Sequence, residues 1–477
     1  MTSSGTWEEH AAAVERLRAS YAALPEDAPV RIAKRTSNLF RPRAATGVPG
    51  LDVVGLSSVI EVDADARTAD VQGMCTYEDL VDATLPHGLI PLVVPQLRTI
   101  TLGGAVTGLG VEATSFRNGL PHESVLEMDV FTGAGEVVTA RPDNEHADLF
   151  RTFPNSYGSL GYAVRLRIAL EAVPDRVELR HVRFDTSAAL TEAVLRIAED
   201  RSWDGVRVDG LDGVAFGPHE LYLTLATWTD RDGPTSDYTG PQIYYRSIQT
   251  RSTDLLTMHD YLWRWDTDWF WCSGAFGLHN PRIRRLWPRR WRRSDVYHRL
   301  VGLDRRLKVM DRLDARAGRQ PREHVIQDVE VPAEHLPEFL AWFDEHVGMT
   351  PVWLCPLRVS TSSTGEGDST GEGDSTGEGD STAHPWPSYP LRPGTTYVNV
   401  GFWGVVRVDD PTEAPTNRAI EAKVHELDGH KSLYSEAFYD RDTFDGLYDG
   451  ANLATVKKRY DPDDRLTTLY DKAVRRR

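Results

Sequence analysis

The pattern of apolar and polar residues predicts a helix close to the N-terminus. Thr6 and Glu9 have the spacing of a capping box, in which each side chain accepts a hydrogen bond from the backbone N–H of the other residue. Apolar residues then follow at helical spacing, at Val14, Leu17, Tyr21 and Leu24. Pro25 predicts the end of this helix, because proline lacks the N–H that the next turn requires.

Short stretches rich in β-branched residues follow, separated by turn residues. We predict strands over residues 30–33, 58–63, 68–72, 89–94, 125–132, 136–139 and 162–170. Thr76 caps a second helix that ends at Gly88, and a short helix begins at Asp148. Because strands and helices alternate irregularly, the pattern favours an α+β fold over a doubly wound parallel sheet.

Composition and charge limit the classes of function. The chain has 477 residues, 40% of them hydrophobic, so it can bury a large core, distributed over about three domains. Its 71 acidic and 54 basic residues give a formal net charge of −17, which argues against a nucleic-acid partner. Six of the acids lie in a threefold STGEGD repeat within residues 363–382, which predicts a flexible loop rather than a calcium site.

The spacing of cysteine and histidine argues against disulfide and metal chemistry. Cys75, Cys272 and Cys355 are far apart and form no CxxC pair, and no histidines have HxH or HExxH spacing. We therefore expect no metal site and a reducing, cytoplasmic environment. We also expect neither a signal peptide nor a membrane-spanning segment, because no apolar run reaches about 18 residues.

Two glycine-rich segments are the strongest candidates for a binding site. The first contains Gly103, Gly104, Gly108 and Gly110, and the second contains Gly158 and Gly161. Glycine lets backbone N–H groups approach a bulky anion such as pyrophosphate. Neither segment has the GK[ST] of a Walker loop or the setting of a Rossmann fingerprint. Tight turns between strands remain an alternative interpretation of the same glycines.

The order of these features resembles the flavin domain of the vanillyl-alcohol-oxidase superfamily. The resemblance rests on TLGGAVTGLGVEA at 101–113, TGAGEVVTA at 132–140 and DLFRTFPNSYGSLGYAVRLRI at 148–168. Within the superfamily, the chain is most similar to the delta-24 sterol reductase, or diminuto-like, branch. Four further segments are similar to that branch: HVIQD at 324–328, PVWLCP at 351–356, YVNVG at 397–401 and LYSE at 433–436.

The resemblance implies an α+β fold with a two-subdomain, PCMH-type FAD-binding domain and an α+β substrate or cap domain. It places the FAD-binding domain at 1–173, the cap domain at 174–410 and a segment that returns to the flavin at 411–477. Many members carry a histidine that binds FAD covalently where this chain has residues 34–38, with the sequence KRTSN. We therefore expect non-covalent FAD.

The resemblance also implies the residues of the site. Those expected to bind FAD are Arg35, Thr36, Ser37, Asn38, Thr101, Leu102, Gly103, Gly104, Ala105, Thr107, Gly108, Gly110, Val111, Glu112, Ser156, Gly158, Ser159, Gly161 and Val164. Those expected on the substrate side are His324, Gln327, Asp328, Trp353, Cys355 and Asn399. In the returning segment, Glu436 and Tyr439 are candidates for proton transfer, and Lys431 for a contact with flavin N1/O2. An ordinary structural role is the alternative for each of these three.

The implied activity is FAD-dependent reduction of a carbon–carbon double bond in a lipid, with NADPH as the electron donor. A sterol side chain and a methylene-branched fatty acyl chain both fit this activity. The Ala-, Arg- and Asp-rich composition is typical of a GC-rich bacterial genome, which favours the acyl chain. The alternatives are a flavin-dependent alcohol or sugar oxidase or dehydrogenase, and a lipid-binding protein without enzymatic activity.

An aromatic and cationic segment stands out against the acidic composition. Six of the 13 tryptophans lie between residues 263 and 291, and seven arginines lie within residues 282–293. Tryptophan and arginine together suit the interface of an anionic membrane. Buried tryptophans with locally paired arginines are an equally good interpretation. In the first interpretation, Trp263–Arg293 would form a peripheral contact of a cytoplasmic protein with the inner face of the membrane.

Overall fold

Two antiparallel sheets form the framework of the protein in a computed structural model. The model describes residues 5–34, 40–41, 47–268, 271–272, 277–307, 309–360 and 385–475. The predicted FAD-binding residues Arg35, Thr36, Ser37 and Asn38 lie outside these residues, as do Trp269 and the acidic repeat at 363–382.

The first sheet is built from the N-terminal third of the chain. Its strands are β1 (Val59–Asp63), β2 (Thr68–Gln72), β3 (Leu89–Pro91), β4 (Val125–Phe131), β5 (Val137–Ala140) and β6 (Tyr162–Ala172). In the described residues they follow the order β1-β2-β6-β4-β5, and β3 pairs with the end of β6. The helices of this region are α1 (Trp7–Ala22), α2 (Tyr77–Thr84), α3 (Leu102–Val106), α4 (Ser115–Asn118) and α5 (Ala147–Thr152).

The second sheet is larger. Residues 176–431 contain β7 (Arg176–Phe184), β8 (Ser202–Trp203), β9 (Val206–Arg207), β10 (Gly210–Gly217), β11 (Glu220–Thr229), β12 (Thr253–Thr257), β13 (Arg322–Pro332), β14 (Val352–Arg358), β15 (Thr396–Arg407) and β16 (His430–Lys431). As far as the chain is described, eight of these form one sheet in the order β12-β7-β11-β10-β14-β15-β13-β16, and β8 pairs with β9. All of these pairings are antiparallel.

The other α-helices of the described residues lie between residues 187 and 473. They are α6 (Ser187–Asp200), α7 (Tyr244–Thr250), α8 (Met258–Leu262), α9 (Pro281–Leu286), α10 (Ser294–Leu307), α11 (Val309–Arg316), α12 (Leu336–His346), α13 (Pro415–Glu426), α14 (Arg441–Leu447), α15 (Gly450–Tyr460) and α16 (Leu469–Ala473). The mixture of helices with antiparallel sheets confirms the predicted α+β fold.

The second sheet has two differently covered faces, because alternate residues of a strand point to opposite sides. Val329 and Val400 pack into a core with α6, α12 and α13. Trp353, Cys355 and Tyr397 belong instead to the core that contains the first sheet. One face of the second sheet is therefore turned toward the region of the first sheet, and a cavity lies between that face and the first-sheet region.

Several local predictions are confirmed, and two strands are shorter than predicted. The Thr6–Glu9 capping box begins α1, the Thr76 side chain caps α2, and β4 pairs with β5 as a hairpin. Residues 30–33 form only a single bridge, between Ile32 and Leu51, and the N–H of Val30 donates instead to the carbonyl of Arg465. The strand predicted at 89–94 ends at Pro91.

The C-terminal helix α15 contacts the region that contains the first sheet. The N–H of Ala134 donates to the carbonyl of Tyr460, and Asn452 on α15 donates to the Thr152 hydroxyl at 2.9 Å. By contrast, α13 and β16 pack on the second sheet. The domain limits at 173 and 410 remain predictions. Within the described residues, no helix combines the length and apolarity needed to cross a bilayer.

Candidate functional site

A cavity of about 350 Å³ lies between the glycine-rich loops and the second sheet. This volume is within the range of small-molecule pockets, which is roughly 300–1,000 Å³. Residues from three parts of the chain line it: Arg31, Ile32, Lys34, Phe40, Arg41, Met74, Pro95, Gln96, Leu97, Ile100, Thr101, Gly103, Gly104, Thr107, Leu109, Gly110, Val111, Tyr157, Gly158, Gly161, Tyr162, Ala163, Asp328, Trp353, Trp403, Tyr434 and Lys472.

The first glycine loop forms one wall of this cavity. The Thr101 hydroxyl accepts a hydrogen bond from the N–H of Gly104 at 3.2 Å and one from Lys34 Nζ at 3.1 Å. Gly103 donates its N–H to the carbonyl of Gly73 at 3.0 Å. A Cβ at position 103 would lie only 2.7 Å from that same carbonyl oxygen, so this close backbone approach requires glycine.

The second glycine loop lies against the first. The N–H of Tyr157 donates to the carbonyl of Thr107 at 2.8 Å, which joins the two loops. Lys472 on α16 donates to the carbonyl of Tyr157 at 3.1 Å. The buried hydroxyl oxygens of Ser156 and Ser159 have no hydrogen-bond partner among the described residues. Buried hydroxyls without partners are uncommon, so this loop has capacity to bind a further group.

The charge of the cavity wall suits a phosphate-bearing ligand. Arg31, Lys34, Arg41 and Lys472 line it, and Asp328 is the acidic side chain found there among the described residues. The two lysines are bound to the two glycine loops. Cationic side chains beside glycine-rich backbone are a common arrangement for pyrophosphate. Together with the glycine backbone, these cations fit FAD.

The end of the cavity that the second sheet lines is aromatic and contains a single acid among the described residues. Gly401 on β15 is paired with Asp328 on β13 and with Trp353 on β14, so the three positions form one row across the sheet. A Cβ at position 401 would overlap Asp328 Oδ1 and approach Trp353 Cε3 to 3.3 Å. Glycine at this position allows both side chains to reach the cavity.

Hydrogen bonds hold the Asp328 carboxyl group in place. Asn399 Nδ2 donates to Asp328 Oδ1 at 2.9 Å, and the Tyr434 hydroxyl donates to the same carboxyl group. Trp403 Nε1 in turn donates to the Tyr434 oxygen at 3.0 Å. Burial raises the pKa of Asp328, and the two hydrogen bonds and the Lys431 charge oppose this rise. Burial therefore favours the protonated carboxyl group, and its neighbours favour the carboxylate.

Phe40 and Arg41 close the cavity beside these residues. The N–H of Phe40 donates to the carbonyl of Tyr434 at 3.0 Å, and its ring lies 5.2 Å from that of Trp403. Arg41 lies 4.7 Å above the Tyr157 ring and donates to the carbonyl of Leu433. The N-terminal segment and the returning C-terminal segment thus meet at the aromatic end.

A buried ionic cluster joins the first glycine loop to the second sheet. Arg264 binds Glu112 Oε1 at 2.5 Å and Asp212 Oδ2 at 3.1 Å, and all three side chains are buried. Asp212 Oδ2 also accepts hydrogen bonds from Trp265 Nε1 at 2.9 Å and Trp353 Nε1 at 3.3 Å. Burial raises the pKa of Glu112 to about 7, against the effect of Arg264. Through Trp353, this cluster reaches the cavity wall.

The three predicted catalytic residues lie outside the lining of the cavity. Lys431 is fully buried and donates to the Ser435 hydroxyl at 3.0 Å, and its Nζ lies 4.0 Å from Glu421 Oε1. Burial lowers the pKa of Lys431. Glu436 is half-buried, and the ring of the half-buried Tyr439 lies 6.3 Å from that of Tyr448. None of the three is among the described residues that line the cavity.

The predicted substrate-side residues are divided between the two faces of the second sheet. Trp353 lines the cavity, and Asn399 binds the carboxyl group that does so. Cys355 is buried on the same face, where burial raises the pKa of its thiol, as expected for a packed residue rather than a nucleophile. Gln327 points to the other face and binds Asn417 on α13 at 2.7 Å, whereas His324 is exposed.

The predicted FAD-binding residues of the two loops are also divided. Thr101, Gly103, Gly104, Thr107, Gly110, Val111, Gly158 and Gly161 line the cavity. The others are buried or half-buried near it: Leu102, Ala105, Gly108, Glu112, Ser156, Ser159 and Val164.

Sequence reasoning placed Asp328 on the substrate side but gave it no chemical role, and it missed Tyr434, Trp403, Phe40 and Arg41 as site residues. Asp328 ends the HVIQD segment and Tyr434 lies in LYSE, so the motifs contained both. Strand alternation within HVIQD places Asp328 on the face opposite to Gln327, and this signal was available from the sequence. In the described part of the chain, no group of histidine, cysteine, aspartate or glutamate side chains is arranged to hold a metal ion.

Comparisons with known proteins agree with this geometry. Residues 7–141 match a family model described as an FAD binding domain. The Delta(24)-sterol reductase of Arabidopsis thaliana is 23% identical over 458 residues, which cover 90% of this chain and 77% of that protein. The human Delta(24)-sterol reductase is 23% identical over 434 residues, with 88% and 77% covered.

A second group of relatives matches a shorter part of the chain. Cytokinin dehydrogenase 2 of Oryza sativa subsp. japonica is 32% identical over 177 residues, which cover 37% of this chain and 31% of that protein. The resemblance stated from the sequence is thereby confirmed. Residues 7–141 thus match an FAD-binding domain, and most of the chain is similar to the Delta(24)-sterol reductases.

Proposed function

We propose that this protein is an FAD-dependent reductase of a carbon–carbon double bond in a lipid chain, with NADPH as the electron donor. The substrate we favour is a methylene-branched fatty acyl chain, and a sterol side chain is the second substrate class. The observation that carries the proposal is the position of Asp328, a buried carboxyl group that lines an otherwise aromatic end of the cavity.

The wall around Asp328 supports an apolar substrate. Trp353, Trp403 and Phe40 line this end, and Leu97 and Ile100 line the adjoining part. An extended hydrocarbon chain gains free energy when such side chains remove it from water, roughly 25 cal/mol per Å² of apolar surface. A sugar would have to lose its hydration against the same wall with few hydrogen-bonding partners in return.

Reduction of an alkene requires a hydride on one carbon and a proton on the other. When bound and reduced, FAD supplies the hydride. The proton comes from Asp328, whose pKa burial raises, so that its protonated form is more accessible than that of an exposed aspartate. An isolated alkene accepts hydride poorly, so Asp328 transfers its proton first and the more substituted carbon becomes a tertiary cation. That carbon then accepts the hydride, and the π bond has been replaced by two C–H bonds.

The residues around Asp328 stabilise the carboxylate that remains. Asn399 Nδ2 and the Tyr434 hydroxyl both donate to it, and the Lys431 charge acts in the same direction. Tyr434 is a poorer proton donor than Asp328, because burial and the neighbouring carboxylate raise the pKa of its phenol well above its ordinary value. Exclusion of water by the aromatic wall protects the cation from hydration.

The decisive experiment follows the oxidation state of the bound flavin without oxygen. Purified protein is reduced with NADPH, and its visible flavin absorbance is recorded after addition of a methylene-branched acyl lipid, a Δ24 sterol or air. We expect rapid reoxidation by the acyl lipid, with formation of the saturated methyl branch. Reoxidation by air alone would overturn the proposal in favour of an oxidase, and protein purified without flavin would favour a lipid-binding role.

A further inference from the structure

A short surface segment combines exposed apolar side chains with exposed arginines. It comprises α9 and the turn that follows it, over residues 281–291. Leu286 is 85% exposed, Trp291 is 45% exposed and Ile283 is 42% exposed. Arg282, Arg285, Arg289 and Arg290 are exposed beside them. Large apolar side chains exposed next to one another are more unusual than single ones and mark interaction surfaces.

The segment is fixed to the protein from behind by two buried arginines. Arg284 donates to the carbonyl of Tyr238 at 2.7 Å and binds Asp268 at 3.0 Å. Arg292 donates to the carbonyls of Gly240 at 2.6 Å and Trp287 at 2.9 Å. These contacts fix the backbone. Leu286 and Trp291 are therefore exposed on a well-anchored segment rather than on a frayed helix end.

Three other tryptophans of the segment identified from the sequence do not contribute to this surface. Trp263, Trp265 and Trp271 are buried in the core that contains the first sheet and one face of the second sheet. Arg264 is also buried, in its ion pairs with Glu112 and Asp212. The exposed surface is therefore narrower than Trp263–Arg293 and is centred on Leu286 and Trp291.

The charge of this surface is opposite to that of the chain. Residues 281–291 contain no acidic residue, whereas the protein as a whole carries a formal net charge of −17. Arg289 forms a surface pair with Asp237, and Arg290 lies 5.7 Å from the Trp291 ring. Exposed leucine and tryptophan surrounded by arginine match the apolar boundary and phosphate groups of an anionic bilayer.

One helix connects this surface to the wall of the cavity. Arg293, directly after the segment, binds Glu78 on α2 at 2.7 Å, and α10 begins with the next residue. The His298 ring on α10 lies 5.2 Å from the ring of Phe40, which lines the aromatic end. A bilayer at this surface would therefore lie close to α10, the helix whose His298 packs on Phe40 in the cavity wall.

We propose that residues 281–291 dock the protein on an anionic membrane. Ile283, Leu286 and Trp291 enter the boundary between headgroups and acyl chains, and the four exposed arginines contact lipid phosphates. This inference concerns binding alone and does not depend on the proposed reaction. The proposed partner is a lipid bilayer. An acidic protein is the alternative partner that the experiment must exclude.

The test is cosedimentation of the purified protein with phosphatidylcholine vesicles, with and without phosphatidylglycerol. We expect binding only to the anionic vesicles and weaker binding as the salt concentration rises. The variant Leu286→Ser/Trp291→Ser is expected to lower the affinity at least about tenfold. The variant Arg285→Glu/Arg290→Glu is expected to lower it by more than the fivefold or so per charge that neutralisation alone would give.

The matched control is Leu195→Ser/Arg196→Glu on α6, which changes an exposed leucine and an exposed arginine elsewhere on the surface. It should bind anionic vesicles like the unchanged protein. Equal loss in the control would overturn the proposal, as would vesicle binding that is unaffected by the two docking variants. Binding to polyglutamate without binding to vesicles would also overturn it, in favour of an acidic protein partner.

Discussion

Asn399 Nδ2 donates a hydrogen bond to Oδ1 of Asp328 across 2.9 Å, between neighbouring strands of the second sheet. This bond orients the acid that lines the aromatic end of the cavity. It also favours the charged form of the carboxyl group, whereas burial favours the protonated form. The balance between the two effects sets the pKa at which Asp328 releases its proton.

The first prediction concerns this acid. Asp328→Asn should lower the rate of flavin reoxidation by the alkene by about 100- to 10,000-fold, because the amide cannot supply the proton. The visible flavin absorbance should remain, since the substitution is isosteric and leaves both glycine loops unchanged. In the unchanged protein, the rate should fall as the pH rises through the raised pKa of Asp328, and this fall should be missing from the variant's profile.

Glu436→Gln is the matched comparison, since Glu436 is the acid that the sequence favoured and it does not line the described cavity. It should retain most of the rate. If Glu436→Gln is the slower variant and Asp328→Asn is not, the assignment of the proton to Asp328 is wrong.

The second prediction tests the cross-strand row. Gly401→Ala should displace Asp328 and crowd Trp353, because its Cβ would overlap Asp328 Oδ1 and approach Trp353 Cε3 to 3.3 Å. We expect a lower turnover rate and a loss of about 1–3 kcal/mol in the free energy of unfolding. Gly217→Ala is the control in the same sheet, since a Cβ there meets no atom within 4 Å. Normal turnover in Gly401→Ala would show that the row does not position Asp328.

The third prediction tests the first glycine loop. Gly103→Ala should weaken FAD binding strongly, because its Cβ would lie 2.7 Å from the carbonyl oxygen of Gly73 and force the loop away from the sheet. Titration of the cofactor-depleted protein with FAD, followed by flavin fluorescence, measures the affinity. Gly47→Ala, where a Cβ meets nothing within 4 Å, should bind FAD normally. Equal affinities would exclude a role for this close approach in cofactor binding.

The sequence predicted local structure well where the signal lies within a few residues. The Thr6–Glu9 capping box, the Thr76 cap and the glycine hairpin between β4 and β5 each depend on neighbouring side chains. The sequence also identified the glycine loops, because their motifs are continuous. The prediction of a strand at 30–33 was wrong because a strand depends on a partner that is distant in sequence. This segment forms only one bridge, from Ile32 to Leu51.

The acid of the cavity could not be assigned in the same way. Asp328 and Gln327 are adjacent and both polar. Strand alternation puts them on opposite faces, but only the packing of α13 shows which face is turned away from the cavity. Likewise, nothing local to Gly401 reveals that its neighbours are Asp328 and Trp353, which come from two other strands. Such relationships depend on strand order, which the sequence did not determine.

The fourth prediction concerns the pH dependence of stability. Glu330 is fully buried, accepts hydrogen bonds from Tyr389 and Ser432, and has its pKa raised by burial from 4.5 to about 8. Between these values the folded state holds a proton that the unfolded state has released. The free energy of unfolding should therefore fall as the pH rises through this window, by about 1.4 kcal/mol per pH unit for one proton.

Glu330→Gln should remove this group's share of the pH dependence, because the amide is neutral in both states. Urea unfolding at a series of pH values from 5 to about 8 measures the slope. Glu334→Gln, at an exposed position two residues beyond β13, is the control and should leave the slope unchanged. An identical slope in Glu330→Gln would mean that Glu330 is ionised in the folded protein.

The fifth prediction concerns the junction between the first glycine loop and the second sheet. Arg264→Met should lower the free energy of unfolding by about 3–5 kcal/mol, because Glu112 and Asp212 remain buried without their cation. Arg18→Met removes an exposed pair with Glu15 and should cost less than about 1 kcal/mol. Since Asp212 also binds the Trp353 indole, Arg264→Met should in addition change the flavin absorbance spectrum.

A second substitution separates the charge from the packing in this cluster. Glu112→Gln removes one of the two carboxylates, so combining it with Arg264→Met should recover part of the lost stability, whereas each change alone should be destabilising. If the two losses simply add, Glu112 and Arg264 are not coupled. In that case the glycine loop is held against the second sheet by apolar packing and by the hydrogen bond from Leu211 N to the carbonyl of Ala113, at 2.7 Å.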